Sequence, residues 1–540
     1  MTTITPFAAG SYLTNRTASQ LSTLKNQLND LSNQISSGLV SQTYGGLGSG
    51  RSTALGAQAT LSALTGYASG ITAGQTRTNL AVTSLTQVVT LATSASATLN
   101  NGLQSVAASS VAGRSTALGN LQSAFDALNQ SAAGNYLFGG SDTTTQPVAD
   151  TDAILNGVTN SDGSQKAGLT QMIAEQVGAD QGPGKNGWLS VAQSSTPPTQ
   201  VSITEPSDDN VRANFGFSLA GKPTSTTSAI QATYTAGTST SAGSLQLNVA
   251  AQPAVGDSIT VTLKMHDGTS TTMTLTAVAA GTTPANSATT FALGANGDTT
   301  ATAANLSAAL TGAVGAAATG PLTATSAATA ASHFFTGSVK GGPNGTGVMP
   351  QRVLFDTSTG TPGTPIGYRS ATPQDTVLWY QGENTYTSGG TQTPALDTQS
   401  VQVSATSSIG TGARAIDPAV QNVLAGLATM AFGLPTSSST SPNATYQAVI
   451  DAAGPLLASA NGSTGVQDTV TQLSLASARL TNASTTNKAI QNTAQNTLDG
   501  IEQAPTEEVV AKLLDVQNRL QASYQVTATL SKLSLVNYIS

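Results

Sequence analysis

Cysteine is absent from the 540-residue chain, which excludes both a disulfide framework and a thiolate metal site. Charge is scarce as well: Asp, Glu, Lys and Arg together make 8% of the chain, against about 25% in typical soluble proteins. The net charge of −7 comes without any basic block, so phosphate neutralisation by clustered Lys and Arg, the main source of nucleic-acid affinity, has no provider. No run of about 20 consecutive apolar residues is present to span a bilayer, so no membrane insertion is expected. Met1–Gly10 has neither a cationic segment nor an apolar run before a cleavage site. A standard secretory signal is therefore not expected, and export would use a dedicated route.

Histidine is nearly missing too. His266 and His333 are the only two and lie far apart in sequence, so no His-Glu-x-x-His zinc helix exists. His266, beside a turn, reads as a solvated turn residue. Gly46, Gly48 and Gly50 lack the third glycine and the preceding strand of a dinucleotide loop. Lys185 follows Gly184, but Asn186 replaces the Ser or Thr of a phosphate loop and position 179 is Ala. Asp208-Asp209 and Glu507-Glu508 read as a loop and a helix N-terminus rather than acid–base pairs, and no Gly-x-Ser-x-Gly elbow has a His partner. No catalytic, cofactor-binding or metal-ligating residues are expected, and the chain reads as a non-enzyme.

Ser, Thr, Ala, Gly, Asn and Gln dominate instead. Low charge on long helices suits close lateral packing between identical subunits. The first pattern is Leu21, Leu24, Leu28, Leu31 and Ile35, an a/d seam of alternating three- and four-residue steps stopped by Gly38. Glycine-rich Tyr44–Gly50 reads as a bend. The seam then resumes from Ala57 through Leu64, Ile71, Thr78, Leu85, Ala92 and Leu99 to Val106, with 12 of its 15 steps apolar. Roughly 50 residues at about 1.5 Å each would make a helix near 75 Å long. Leu118, Leu121, Phe125 and Leu128 mark a second arm, with Ser109–Arg114 read as the turn between antiparallel helices.

The C-terminal end mirrors this. Val466, Val470, Leu473, Leu480, Ala483, Ile490, Ala494, Leu498 and Ile501 outline a helix rich in small seam residues. Pro505 breaks it, and Glu507 and Glu508 suit the positive end of the next helix dipole. That helix carries Leu513, Val516 and Leu520, then slips in phase toward Tyr524 and Leu530 and stays apolar through Leu533 and Leu535. Between the helical ends lies Thr-, Ser- and Gly-rich chain. Ile259, Val261, Leu263 and Met265 alternate, Asp267-Gly268 forms a turn, and Met273, Leu275 and Ala277 alternate back, a clear hairpin. Leu245, Leu247 and Val249 suggest another strand, and Asn305–Val314 a short helix. The flanks Gln146–Gly221 and Phe334–Val401, with Trp188 and Trp379, read as a second β-rich region. Asp417-Pro418 opens a returning helix with Val420, Leu424, Leu427 and Ala431 on its apolar face.

The expected fold is a multidomain α+β protein in which N- and C-terminal helices form a coiled-coil rod and β-rich variable domains are inserted in the middle. The boundaries read as an N-terminal inner helix at 1–44, rod helices at 45–140, variable domains at 141–415 with the hairpin module near 240–330, returning rod helices at 416–504, and a C-terminal inner helix at 505–540. The assembly interface is expected at Leu21, Leu24, Leu28, Leu31, Ile35, Leu513, Val516, Leu520, Tyr524, Leu530, Leu533 and Leu535.

Several local stretches sharpen this layout. Leu28-Asn-Asp-Leu-Ser-Asn-Gln-Ile-Ser-Ser-Gly38, Gly134-Asn-Tyr-Leu-Phe-Gly-Gly-Ser-Asp142 and Asp515-Val-Gln-Asn-Arg-Leu-Gln-Ala-Ser-Tyr524 resemble segments of the bacterial flagellin and hook-associated protein type 3 superfamily. So does Leu533-Ser-Leu-Val-Asn-Tyr-Ile539. The resemblance covers roughly residues 1–140 and 410–540. Its departure is Gly-rich Gln42–Arg51, which stands where the family usually has an Asn-Pro-Ser-Asp-Asp-Pro-like stretch. The resemblance implies a structural subunit of the extracellular bacterial flagellum, exported by the type III route and self-assembling as filament flagellin or hook–filament junction protein. It implies partners among its own copies, flagellin and hook-associated proteins, and an export chaperone. It also implies terminal helices that order on assembly. The competing expectation is a surface adhesin or glycan-binding protein carried on a helical stalk.

Overall fold

The computed structural model describes residues 6–104, 108–283, 288–342, 346–359, 363–386, 390–434, 442–462 and 464–539, without the side chains of 6–14, 104, 108–111, 359, 442–443 and 533–539. Its helices are α1 (Pro6–Ser37), α2 (Arg51–Gln104), α3 (Ala108–Leu128), α4 (Thr151–Asn156), α5 (Leu169–Gln181) and α6 (Asp209–Asn214). They continue with α7 (Thr299–Thr319), α8 (Pro321–Phe334), α9 (Pro418–Gly433), α10 (Pro442–Ala458), α11 (Val466–Glu502) and α12 (Thr506–Ile539). Helix and sheet are both present, so the chain is of mixed α+β class. It divides into two compact units: 1–73 with 402–408 and 480–540, and 74–401 with 409–479. Helices α2 and α11 contribute residues to both.

In the first unit, α1 stops because Gly38 enters the left-handed region at φ +71, which glycine adopts without a Cβ penalty. Its amide still closes on the Gln34 carbonyl at 2.8 Å. The chain then meets the end of α11: the Val40 amide donates to Glu502 at 2.7 Å and the Ala504 amide to Gly38 at 2.9 Å. This antiparallel stitch, with Leu39 opposite Gln503, places the end of α1 beside the start of α12. Farther along, Ser19–Leu24 shares a groove with Arg519–Ser523, so the two helices run antiparallel.

The second unit has a helical core in which α2, α3, α9, α10 and the start of α11 interlock through Leu85, Leu99, Leu121, Phe125, Leu424 and Leu473. Every described step of the α2 seam is buried or half-buried, including Thr78, whose hydroxyl is satisfied by the Gly74 carbonyl at 2.8 Å. Ser109–Arg114 is helix rather than turn, because α3 begins at Ala108. Gly113 is there for packing: a Cβ would sit 3.3 Å from Leu434 Cδ1. The connection between α2 and α3, with Val106, lies outside the described residues.

The expected hairpin pairs Ser258–Lys264 with Ser270–Val278, Ile259 opposite Leu275 and Val261 opposite Met273. The alternation buries one face, and Gly268 supplies φ +88 in the turn. Thr290–Ala292 extends it in parallel and Ser218–Leu219 pairs on the other edge. A second sheet runs Ser190–Gln193, Gln200–Thr204, Ser244–Val249, Ile230–Thr235, with Leu245, Leu247 and Val249 buried as expected. Helix α7 spans more than the expected Asn305–Val314 and packs Leu306, Leu310 and Val314 into the core of both sheets. The flanks are not simply β-rich: Gln146–Gly221 contains α4, α5 and α6.

The outgoing and returning chains are joined within this unit at the root of the middle region. The Ala415 amide donates to the Phe138 carbonyl at 3.0 Å, and the Gly140 amide to Ala413 at 3.3 Å. Trp379 and Tyr380 are buried beside this junction. Tyr44–Leu103 contains the one stretch among the described residues long and apolar enough to cross a bilayer, by length and composition only. Its Ile71, Leu85, Val88 and Ala92 are already packed inside the protein.

Candidate functional sites

The residues expected to carry assembly fall into two groups. Leu21, Leu24, Leu28 and Leu31 on α1 are half-buried, as are Leu513 and Leu520 on α12, while Val516 is buried. Together they form the seam between the two helices. Ile35, Tyr524 and Leu530 are exposed, at 37%, 53% and 52%. At the end of α1 the inward position is taken by Gln34, whose amide nitrogen donates to the Val40 carbonyl at 3.1 Å. Leu533 and Leu535 lie on the described backbone of α12, but their side chains are outside the described set.

Helix α12 carries more apolar surface than α1 covers. Val510, Leu514 and Val526 are exposed at 39%, 54% and 54%. At 100° per residue, Val510, Leu514 and Tyr524 lie along one stripe, roughly a quarter turn from the Val509, Leu513, Val516, Leu520 seam. Four of the charges on this helix, in the exposed Glu508–Lys512 and Asp515–Arg519 pairs, are spaced i, i+4 and contribute little each. Two long helices sharing only a narrow seam leave each with an open face.

The pairing of α2 with α11 in the first unit has a polar seam residue that the apolar pattern missed. Asn487 is 3% exposed and its side-chain nitrogen donates to the Leu64 carbonyl at 3.1 Å. Its Oδ1 is buried without a partner. Ile490, expected on the seam, is 45% exposed, because the heptad runs through 487, 491, 494 and 498 instead. A lone buried amide on such a seam fixes register at a cost in stability. Asn487→Leu is expected to remove an orphaned acceptor worth about 1–3 kcal/mol and to raise the thermal midpoint of this unit. Scanning calorimetry checks it; a lowered midpoint would mean that the Leu64 bond outweighs the orphan.

The second unit contains a cavity of about 550 Å³ between α5, α8, the hairpin tip and the Gln351–Asp356/Thr364–Ser370 strand pair. His266 and His333, distant in sequence, both line it. His266 is exposed at the turn, yet it is held: its Nε2 lies 2.9 Å from the Phe215 carbonyl. Asp180 is nearly fully buried behind the wall. Its Oδ2 accepts from Gln176 at 2.9 Å and Ser326 at 2.7 Å, and its Oδ1 accepts from the Gly216 amide at 3.1 Å. Burial raises the Asp180 carboxyl despite these bonds. Burial, with the Asp180 charge behind it, pushes the Tyr368 hydroxyl up to about 12, and burial lowers His333. Ser326 bonds Asp180 and the Leu322 carbonyl, with no histidine contact, so no nucleophile–base pair forms. Among the described residues no three His, Cys, Asp or Glu side chains are arranged to hold a metal ion.

Neither of two helices lining this cavity, α5 and α8, was among the expected elements. Leu169, Met172, Ile173 and Gln176 on α5 follow helical spacing and are buried. Helix α8 buries Ala324, Ala327, Ala330 and Ala331, whose methyls hardly stand out in so Ala-rich a sequence. No protein-family model matches the chain, and no curated protein matches it.

Proposed function

We propose that the chain is a non-enzymatic structural subunit of the bacterial flagellum, either filament flagellin or hook–filament junction protein, assembling through its terminal helices. The observation that carries this reading is the open apolar stripe of α12, Val510, Leu514 and Tyr524, beside a seam already used against α1. Exposed apolar surface of this kind, at the ends of a chain with so little charge, calls for a partner. In the proposed assembly the partner is a neighbouring copy or another axial protein, and the helices complete a coiled-coil rod. The middle of the chain would face solvent outside the cell, after type III export with or without a chaperone. Cysteine-free composition agrees with that oxidising location.

Electron microscopy of the purified full chain tests the reading. Long tubes are expected for a filament subunit, and monomers that bind isolated hook ends for a junction protein. Monomers that do neither, under conditions where the second unit is folded, would refute both.

A further inference from the structure

The cavity in the second unit has no part in assembly through the termini, and its wall chemistry is selective. Its lining sets Leu322, Ala213 and the Tyr368 ring among polar side chains. The Phe215 carbonyl only accepts, so the His266 Nε2 must carry the proton, which leaves Nδ1 as an acceptor in the neutral ring. The amide nitrogen of Gln176 donates both to Asp180 and, at 3.0 Å, to the Tyr368 oxygen. Tyr368 thus keeps its own proton, and among the described residues nothing accepts it. Neither ring nitrogen of His333 has a hydrogen-bond partner there, and the Thr329 hydroxyl also lines the space. Four side chains from α8, the hairpin tip and the strand at Thr364–Ser370 therefore converge with donor and acceptor capacity unspent.

The signs of charge exclude most ligand classes. Among the described residues no Lys or Arg lines the cavity, so a phosphate or carboxylate would find no counter-charge beside Asp180 and Asp267. Among the described residues a metal ion lacks a third convergent ligand. An organic cation would seek aromatic faces, but the Tyr368 ring is engaged by Phe215, tilted at 5.4 Å, and by His333, edge-on at 5.3 Å. What remains is a neutral ligand whose groups both donate and accept, with a small apolar surface to set against Leu322. A site of a few hundred cubic ångströms at the meeting of two cores is an ordinary setting for a small ligand.

We propose that this cavity binds a neutral saccharide, with Tyr368 donating to a sugar hydroxyl, His266 Nδ1 accepting from one, and His333 and Thr329 completing the set. The Asp180–Gln176–Ser326 network acts behind it as a positioning scaffold, fixing the Tyr368 oxygen and α8. The inference does not depend on the flagellar reading, because polymerisation is scored separately on the full chain.

The sequence supplies a convenient reporter, since both of its histidines line the cavity. The unassembled full chain, labelled with carbon-13 on its histidine rings, is titrated with glucose, galactose, N-acetylglucosamine and maltose, and with zinc, phosphate and choline as controls. At least one sugar is expected to move both histidine ring signals saturably, while the controls leave them in place. Tyr368→Phe keeps the ring and deletes the donor, and is expected to weaken that sugar about tenfold. Thr329→Val should weaken it with both histidine reporters intact, which covers the case that Tyr368→Phe disturbs Gln176. Ring signals unmoved by every sugar, signals moved equally by phosphate or choline, or sugar affinity unchanged in both variants would each overturn the proposal.

Discussion

Deleting Thr506–Ser540 is expected to reduce polymerisation to background while leaving the thermal transition of the second unit in place. The two halves of this result have separate causes. None of the described residues that make the second unit's three apolar clusters lies beyond Leu473, so that described core loses nothing directly. In the first unit, α1 loses the helix that half-buries Leu21, Leu24, Leu28 and Leu31. An isolated amphipathic helix rich in Ser, Thr and Asn has little intrinsic stability to fall back on. The open stripe through Val510 and Leu514 goes with it. Sedimentation and electron microscopy score the polymer, and circular dichroism scores lost helix and the surviving transition. A single change separates the two faces: Leu514→Ser should lower polymerisation with α12 still helical, because Leu514 is 54% exposed within the chain. Filaments of normal length from the truncated chain would end the assembly reading.

How much of this was legible in sequence depended on how distinctive the buried residues are. The α2 seam and the Asp267-Gly268 hairpin were readable because large apolar side chains recur at 3.5- or 2-residue spacing against polar neighbours. Helices α5 and α8 were hidden in a stretch read from its Thr, Ser and Gly content. Helix α8 packs through alanines and buries Thr325 and Ser326 as well, so its inward face has almost no hydrophobic contrast. The seams also slipped where a polar residue took the inward place. Gln34 bonds the chain beyond the helix and displaces Ile35; Asn487, which reaches the Leu64 carbonyl, sets a register in which Gln491 rather than Ile490 comes next on the seam. Apolar counting prefers isoleucine at both places, whereas the inward polar neighbours Gln34 and Asn487 set the register. The assembly stripe was half legible. Sequence marks α12 as apolar on more than one face, but only packing separates the face spent on α1 from the face left open. The polar cavity was illegible, since its histidines are 67 residues apart (333 − 266) and meet only through the fold.

That fold depends on a second large effect. Trp379→Ala is expected to destabilise the second unit by about 3–5 kcal/mol through the cavity left by the ring, and further through the lost hydrogen bond. The indole is fully buried, with Phe335 edge-on at 5.4 Å and Tyr380 at 5.7 Å, and Phe335 in turn touches Phe125 of α3 at 6.2 Å. This chain of rings ties the middle segment to the helical core. The indole N–H also donates to the Phe335 carbonyl at 2.8 Å, and losing it leaves a buried acceptor costing about 1–3 kcal/mol more. For a unit as large as 74–401 with 409–479 each kcal/mol moves the midpoint by only about 1 °C, so a drop of about 5–10 °C is expected. Trp379→Phe should recover the packing part and retain the hydrogen-bond part, falling between. Trp188 is only partly buried, so Trp188→Ala should cost less although its indole also has a carbonyl partner, Ala179 at 2.6 Å. Below its lowered midpoint the Trp379→Ala chain should still polymerise, because the α1–α12 seam and the open stripe are untouched. Lost polymerisation at a temperature where the second unit remains folded would mean that the middle of the chain takes part in assembly, and the division of labour between termini and middle would have to be redrawn.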